Sequence, residues 1–268
     1  MRSIQELSDM QGRVVSISGG AGHLGTAMAE ALLEAGASVV LLDVSDELLD
    51  RATHLLSKRC DSHGRIMTTV TDLADRASID AAIERIAEEH AKMDVLINCA
   101  AMVGSASLKG WVSSFEEQDY DVWTHAVNVN LTGAFYLIQK SLPLLRKSVA
   151  ASVINVSSIY GCYGQKMSMY EGMEYVTPAA YAASKGGLAQ MTRYLATVLA
   201  PDIRVNCISP GGIERGQNSQ FVERYEKATP LNRMGREEDF KGITHFLATD
   251  LSAYVTGQNI VVDGGWGV

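Results

Sequence analysis

The chain has 268 residues, of which 47% are apolar, enough to bury a large core. Its formal net charge is −8, from 23 basic and 31 acidic residues, which argues against a nucleic-acid or anionic-membrane binder. No apolar run approaches a membrane span, and the opening MRSIQELSDM is polar and acidic rather than signal-like, so a cytoplasmic protein is expected.

In chain order, short runs rich in β-branched residues alternate with longer helical patterns. RVVSIS (13–18) predicts the first strand and LGTAMAEALLEAG (24–36) the helix after it. Further strands are expected at 38–43, 65–71, 94–100, 152–158, 203–209 and 259–263, with helical patterns between them, as at 79–91. Strands that are apolar on both faces and separated by helices imply right-handed βαβ units and a parallel sheet covered on both sides. With no linker, repeat or low-complexity stretch, residues 1–268 read as one α/β domain, a doubly wound seven-stranded sheet with helices on both faces. Two irregular stretches, 159–177 and 211–235, follow the carboxyl ends of strands, where open α/β sheets bind ligands, so both are expected to be substrate loops. The four cysteines have no metal-binding spacing and read as reduced structural thiols, with no metal site expected.

VVSISGGAGHLG (14–25) runs from a strand through glycines into a helix. Such a loop lets the backbone approach a pyrophosphate, which then sits on the helix N-terminus. Asp43 closes the second strand, where a carboxylate can accept hydrogen bonds from an adenosine ribose and repel a 2′-phosphate. A dinucleotide is the expected cofactor, NAD in preference to NADP. The bland alternative is that Asp43 only begins the turn into the next helix, whose cap is better assigned to Ser45.

MYEGMEYVTPAAYAASKGG (169–187) carries three tyrosines, and only Tyr181 has a cation four residues on, Lys185. Thr177 and Pro178 predict a helix start just before AAYAAS, so Tyr181 and Lys185 should share a face.

With this pair, the glycine loop and the closing VTGQNIVVDGG (255–265), the chain resembles the short-chain dehydrogenase/reductase family over residues 12–268. The resemblance implies a Rossmann fold and hydride transfer between a nicotinamide and a carbinol carbon. It implies cofactor contacts from Gly19, Gly22, His23, Leu24 and Gly25, from Asp43, and from Asp72 and Leu73 in the adenine pocket. It adds Asn98 and Ala100 in NCAA, Tyr181 and Lys185, and Pro210, Gly211 and Ile213 in SPGGI, the loop that covers the nicotinamide. The implied catalytic set is Asn130, Ser158, Tyr181 and Lys185. Tyr181 is the general acid or base, its pKa lowered by Lys185 together with the nicotinamide ring when oxidised. Ser158 orients the reacting oxygen, and Asn130 positions a water that links Lys185 to solvent. The helices near 178–199 and 121–146 imply a homotetramer or homodimer.

Several positions depart from the family pattern. His23 stands where a glycine is usual, Arg215 where a threonine is usual, and the stretch between Ser158 and Tyr181 is longer than in most members. The long stretch with its YEG, and the GGAG-x-LG loop, resemble dehydrogenases of bacterial surface-glycan and flagellin sugar modification. Tyr170 and Tyr175 are expected to shape the substrate pocket. Gln165, Lys166, Arg215, Arg224, Lys227 and Arg233 suit a hydroxylated, phosphorylated or nucleotide-linked small-molecule substrate, or form only a solvated lid. A dehydrogenase of another polyol or cyclic alcohol, a nucleotide-sugar epimerase and a non-catalytic nicotinamide-binding regulatory protein are the competing readings. The intact Tyr181, Lys185, Ser158 and Asn130 weigh against the last.

Overall fold

The computed structural model describes residues 1–60, 64–103, 108–173 and 176–268. Seven strands form one sheet: β1 (Val14–Ser18), β2 (Ser38–Asp43), β3 (Ile66–Val70), β4 (Val95–Asn98), β5 (Ala151–Val156), β6 (Ile203–Pro210) and β7 (Asn259–Val262). Their order is β3-β2-β1-β4-β5-β6-β7 and every neighbouring pair is parallel. The nine helices found among the described residues are α1 (Ile4–Ser8), α2 (His23–Glu34), α3 (Asp46–Arg59), α4 (Arg76–Glu89), α5 (Tyr120–Val127), α6 (Ala134–Leu145), α7 (Ala179–Val198), α8 (Ser219–Lys227) and α9 (Lys241–Ala248). Seven of the expected strands are thus present, each within about two residues of its predicted ends.

Alternation along the strands feeds both faces. Val15 and Ile17 of β1 and Val39 and Leu41 of β2 pack with α2, α3 and α9. Val14, Val40 and Leu42 point the other way, into a cluster with α4, α6 and α7. Because the chain runs outward from β1 to β3 and then returns to begin again at β4, the carboxyl ends of β1 and β4 diverge and open a crevice. The site described below lies there.

The two stretches read as irregular are partly ordered. Short 3₁₀ turns occupy Ile159–Gly161 and Met167–Tyr170, and α8 lies within 211–235. Between α5 and α6 a π-helical turn at Asn128–Gly133 replaces the continuous helix expected there. Helix α7 starts one residue later than predicted. Its cap position is Pro178, and Gln118 Oε1 accepts from the Ala179 N–H at 3.0 Å, while the Thr177 hydroxyl pairs with Tyr170 instead. Ser45 does cap α3, accepting from Leu48 N at 3.3 Å.

Inside the sheet a polar ladder braces the floor of the crevice. Asn98 Nδ2 donates to Asn155 Oδ1 at 2.8 Å and Asn155 Nδ2 to Thr192 Oγ1 at 2.9 Å, all three residues being buried. Removing the middle member leaves the buried Asn98 Nδ2 without its acceptor, while the Thr192 hydroxyl keeps its bond to the Leu188 carbonyl. Asn155→Ala should therefore lower unfolding free energy by about 1–3 kcal/mol, read as a shift in denaturant midpoint at constant slope.

Candidate active site

The crevice is a cavity of about 650 Å³. The glycine loop forms one lip. A Cβ on Gly25 would lie 2.1 Å from the Gly19 carbonyl oxygen, so only glycine permits this tight turn. Helix α2 follows with Gly22 at its cap and no side-chain cap bond. Its first backbone N–H groups therefore have no side-chain cap among the described residues and, with Gly22, His23, Leu24 and Gly25 in the cavity wall, present a donor cluster suited to a diphosphate. Further along, Asp43, Asp72 and Leu73 line the cavity. Asp43 Oδ2 accepts from Ala21 N at 3.2 Å, and Asp72 Oδ1 from Ala74 N at 2.8 Å, which holds each carboxylate in place. Leu42, Val44, Leu48 and Thr71 complete that end, so two carboxylates and no cation among the described residues face whatever binds there.

At the opposite end, the tip of β5 grips α7. Lys185, 2% exposed, donates from Nζ to the Val156 carbonyl at 2.7 Å. The Ser157 hydroxyl donates to the Lys185 carbonyl at 2.7 Å. Ser158 and Tyr181 both line the cavity, close enough for the serine hydroxyl to act on the phenol, and Ser158 Oγ accepts from Tyr160 N at 3.2 Å. The turn after Ser158 passes so close to α7 that a Cβ on Gly161 would lie 2.5 Å from Ser157 Oγ and 2.7 Å from the Lys185 carbonyl carbon. Lys185 Nζ stands 5.7 Å from the centre of the Tyr181 ring, confirming the shared face read from their spacing.

Burial sets the protonation states. It pulls Lys185 down to about 8. It also pushes Tyr181 above its ordinary value, against the lowering effects of the Ser158 hydroxyl and the Arg215 charge. In the protein alone, burial outweighs these lowering influences, so the phenol stands above its ordinary value. Cys99, in the same wall, is raised to about 11 by burial and stays a neutral thiol at physiological pH.

The structure brings together in the cavity wall Gly19, Gly22, His23, Leu24, Gly25, Asp43, Asp72, Leu73, Ala100, Ser158, Tyr181, Lys185, Pro210, Gly211 and Ile213. Asn98 and Asn130 stand behind the wall instead. Asn98 belongs to the ladder above. Asn130, 1% exposed in the π-helical turn, accepts from Met102 N at 2.6 Å and donates to Ser184 Oγ at 3.2 Å, tying the β4 loop to α7. Its side chain works as a brace between these elements. The two departures at His23 and Arg215 meet on one carboxylate, with Glu237 Oε1 3.7 Å from His23 Nδ1 and 3.4 Å from Arg215 Nε.

A second cavity of about 390 Å³ adjoins the first, and the two share Val103, Ser158, Tyr181, Gly211 and Gln217. Its remaining wall includes Tyr160, Tyr170, Phe221 and Tyr225. Tyr170 is therefore placed as expected; Tyr175 lies outside the described residues. Phe221 and Tyr225 were overlooked in the sequence, although their i, i+4 spacing on an otherwise charged helix was a readable signal. Most of the lid cations do not reach the cavity. Arg224 donates to the Met169 and Glu171 carbonyls, Lys166 to the Trp266 carbonyl and Gln165 to the Thr177 carbonyl. Lys227 pairs with Glu223 and Arg233 with Asp239.

Comparison with known proteins follows this geometry. A family model described as enoyl-(acyl carrier protein) reductase matches residues 19–267. A 3-oxoacyl-(acyl-carrier-protein) reductase of Thermotoga maritima is 34% identical over 261 residues, 96% of this chain and 98% of that protein. The post-translational flagellin modification protein A of Campylobacter coli is 28% identical over 261 residues, 97% of this chain and 100% of that protein. A short-chain dehydrogenase from Leptospira borgpetersenii, solved with bound NAD+, superposes with a TM-score of 0.83 at 32% identity, covering 100% of this chain and 97% of that one. The chain belongs to the short-chain dehydrogenase/reductase family of oxidoreductases.

Proposed function

We propose that this protein interconverts a secondary alcohol and a ketone on a small polar, sugar-like substrate, using NAD as cofactor. The observation that carries this reading is the meeting of the two cavities at Ser158 and Tyr181. A cofactor in the larger cavity and a substrate in the smaller one both reach the Tyr181 hydroxyl. The residues present fit a dinucleotide: the uncapped N–H groups of α2 suit its diphosphate and Asp43 its adenosine ribose. Nicotinamide, when bound, supplies the two-electron acceptor or donor.

In oxidation the carbinol carbon gives up a hydride, its hydroxyl gives up a proton to the Tyr181 oxygen, and a C=O remains. In reduction Tyr181 returns that proton. Ser158, beside the same phenol, orients the substrate oxygen, and the Lys185 cation stabilises charge that develops at Tyr181. Asn130 serves this chemistry by fixing α7 against the β4 loop, a positioning role. Arg215 adds positive charge close to the phenol. A homo-oligomer is the assembly we infer from family membership, and the exposed Tyr120, Trp123, Phe135 and Tyr194 on α5, α6 and α7 suit a second copy.

Tyr181→Phe should bind NADH as the wild type does while losing turnover by roughly 10²–10⁴-fold. In the wild type, burial keeps Tyr181 protonated at neutral pH, so kcat/KM for oxidation should rise with pH. Reduction should hold below pH about 8 and fall above it, as first Lys185 and then Tyr181 give up protons. A Tyr181→Phe enzyme with unchanged turnover and the same profile refutes the assignment. Asp43→Ala should shrink the preference for NAD over NADP by roughly tenfold or more, because it removes the carboxylate that repels a 2′-phosphate. The ratio of kcat/KM values for the two cofactors measures this directly.

A further inference from the structure

The smaller cavity carries information about its occupant that the dehydrogenase chemistry does not require. None of its described lining residues is Asp, Glu, Lys, Arg or His. Arg224, Lys166 and Arg233 are spent on holding the lid, and Arg215, in the wall of the larger cavity, pairs with Glu237. Arg224 donates to the carbonyls of Met169 and Glu171 at 3.3 and 2.6 Å, which fastens α8 to the 3₁₀ turn before it. Lys166 Nζ donates to the Trp266 carbonyl at 2.8 Å and sits 4.1 Å from the centre of that ring. Arg233 forks onto both oxygens of Asp239 at 2.7 Å. A phosphate or carboxylate entering this cavity would be desolvated without a partner, or would have to pull one of these contacts apart, and either is costly.

Two kinds of surface remain. The first is aromatic. Tyr170 and Phe221 lie 5.6 Å apart and Phe221 and Tyr225 6.0 Å apart, ring centre to ring centre, in one continuous wall. The second is a run of hydroxyls. Tyr160 and Tyr170 are joined at 2.7 Å and Tyr170 and Thr177 at 3.0 Å. Three hydroxyls bring three protons and six lone pairs, so their own protons fill at most half of the lone pairs. Such a run accepts as well as donates. It therefore matches a substrate hydroxyl, which does both, whereas to an anion, which only accepts, it offers at most the one proton left over from its two internal bonds. A cavity of about 390 Å³ lies toward the small end of ligand sites and takes one ring with short substituents.

We propose that the substrate is an uncharged saturated ring that carries the reacting secondary alcohol or ketone and at least one further hydroxyl, the latter held by Tyr160, Tyr170 and Thr177. The aromatic wall covers the apolar face of the ring. This rests on the oxidoreductase reading above and narrows it. It removes the phosphorylated and nucleotide-linked compounds that the basic residues of the lid suggest in the sequence.

The test measures NADH formation with matched sets of compounds: a neutral cyclic diol and a neutral monosaccharide, each beside its phosphorylated and its carboxylated counterpart. The neutral member of each set should show a kcat/KM roughly tenfold or more above its charged partners. Turnover of either neutral ring supports the proposal, and the faster one separates an alicyclic substrate from a sugar. Tyr170→Phe should raise KM several-fold for the hydroxylated ring, leave kcat nearly unchanged, and leave a ring lacking the second hydroxyl unaffected. Thr177→Val should do the same if Tyr170→Phe does not fold. Equal or better turnover of a charged counterpart, still dependent on Tyr181, overturns the proposal while the oxidoreductase reading stands. An equal effect of both variants on rings with and without the second hydroxyl overturns it too, since the hydroxyls would then be structural. If no secondary alcohol or ketone is turned over in a Tyr181-dependent way by protein that binds NADH, both readings fall together.

Discussion

A buried cation bonded to the end of a strand holds this site together. Lys185 is out of water, and its Nζ reaches the Val156 carbonyl where β5 stops. An ammonium without that acceptor would be expensive to keep there, so the contact fixes both the rotation and the height of α7 on the sheet. Once α7 is fixed, Tyr181 faces Ser158, the next turn of β5 packs through Gly161, and the two cavities open on either side of the same phenol. The Ser157 hydroxyl and the Asn130 amide secure the same helix from two further directions.

The same burial decides which proton state each group offers. A phenol pushed upward keeps its proton at neutral pH, as reduction requires, and an amine pulled to about 8 is poised to respond to a small change in its surroundings. Neither follows from the residues being four apart. The chemistry belongs to the depth of the site, and the spacing only ensures that both groups reach it.

Much of this was legible in the chain. The glycine loop, Asp43 and the Tyr181–Lys185 pair are local patterns: a turn, a strand end and one helical step. Local patterns survive into the fold because few other residues can change them. The positions that read less well depend on tertiary packing. Asn98 and Asn130 sit in motifs beside the cofactor cavity, but their amides face inward, to Asn155 and to Met102 and Ser184, and this could be known only once the strands and α7 were placed. Thr177 carries the composition of a helix cap and spends its hydroxyl on Tyr170. The composition of the lid left two roles open for its basic residues. Most of them meet carbonyls and carboxylates of their own neighbourhood, while the quieter Phe221 and Tyr225 form the cavity wall.

The proposed reaction requires that a substrate carbon and a nicotinamide meet across Tyr181. NADH deuterated at the reacting ring carbon, incubated with the protein and a neutral cyclic ketone, tests it most directly. Deuterium should appear on the carbinol carbon of the product, on a single face, and should be absent with Tyr181→Phe. NADH that binds tightly yet leaves the ketone unlabelled, or a label scattered over both faces and independent of Tyr181, would contradict it.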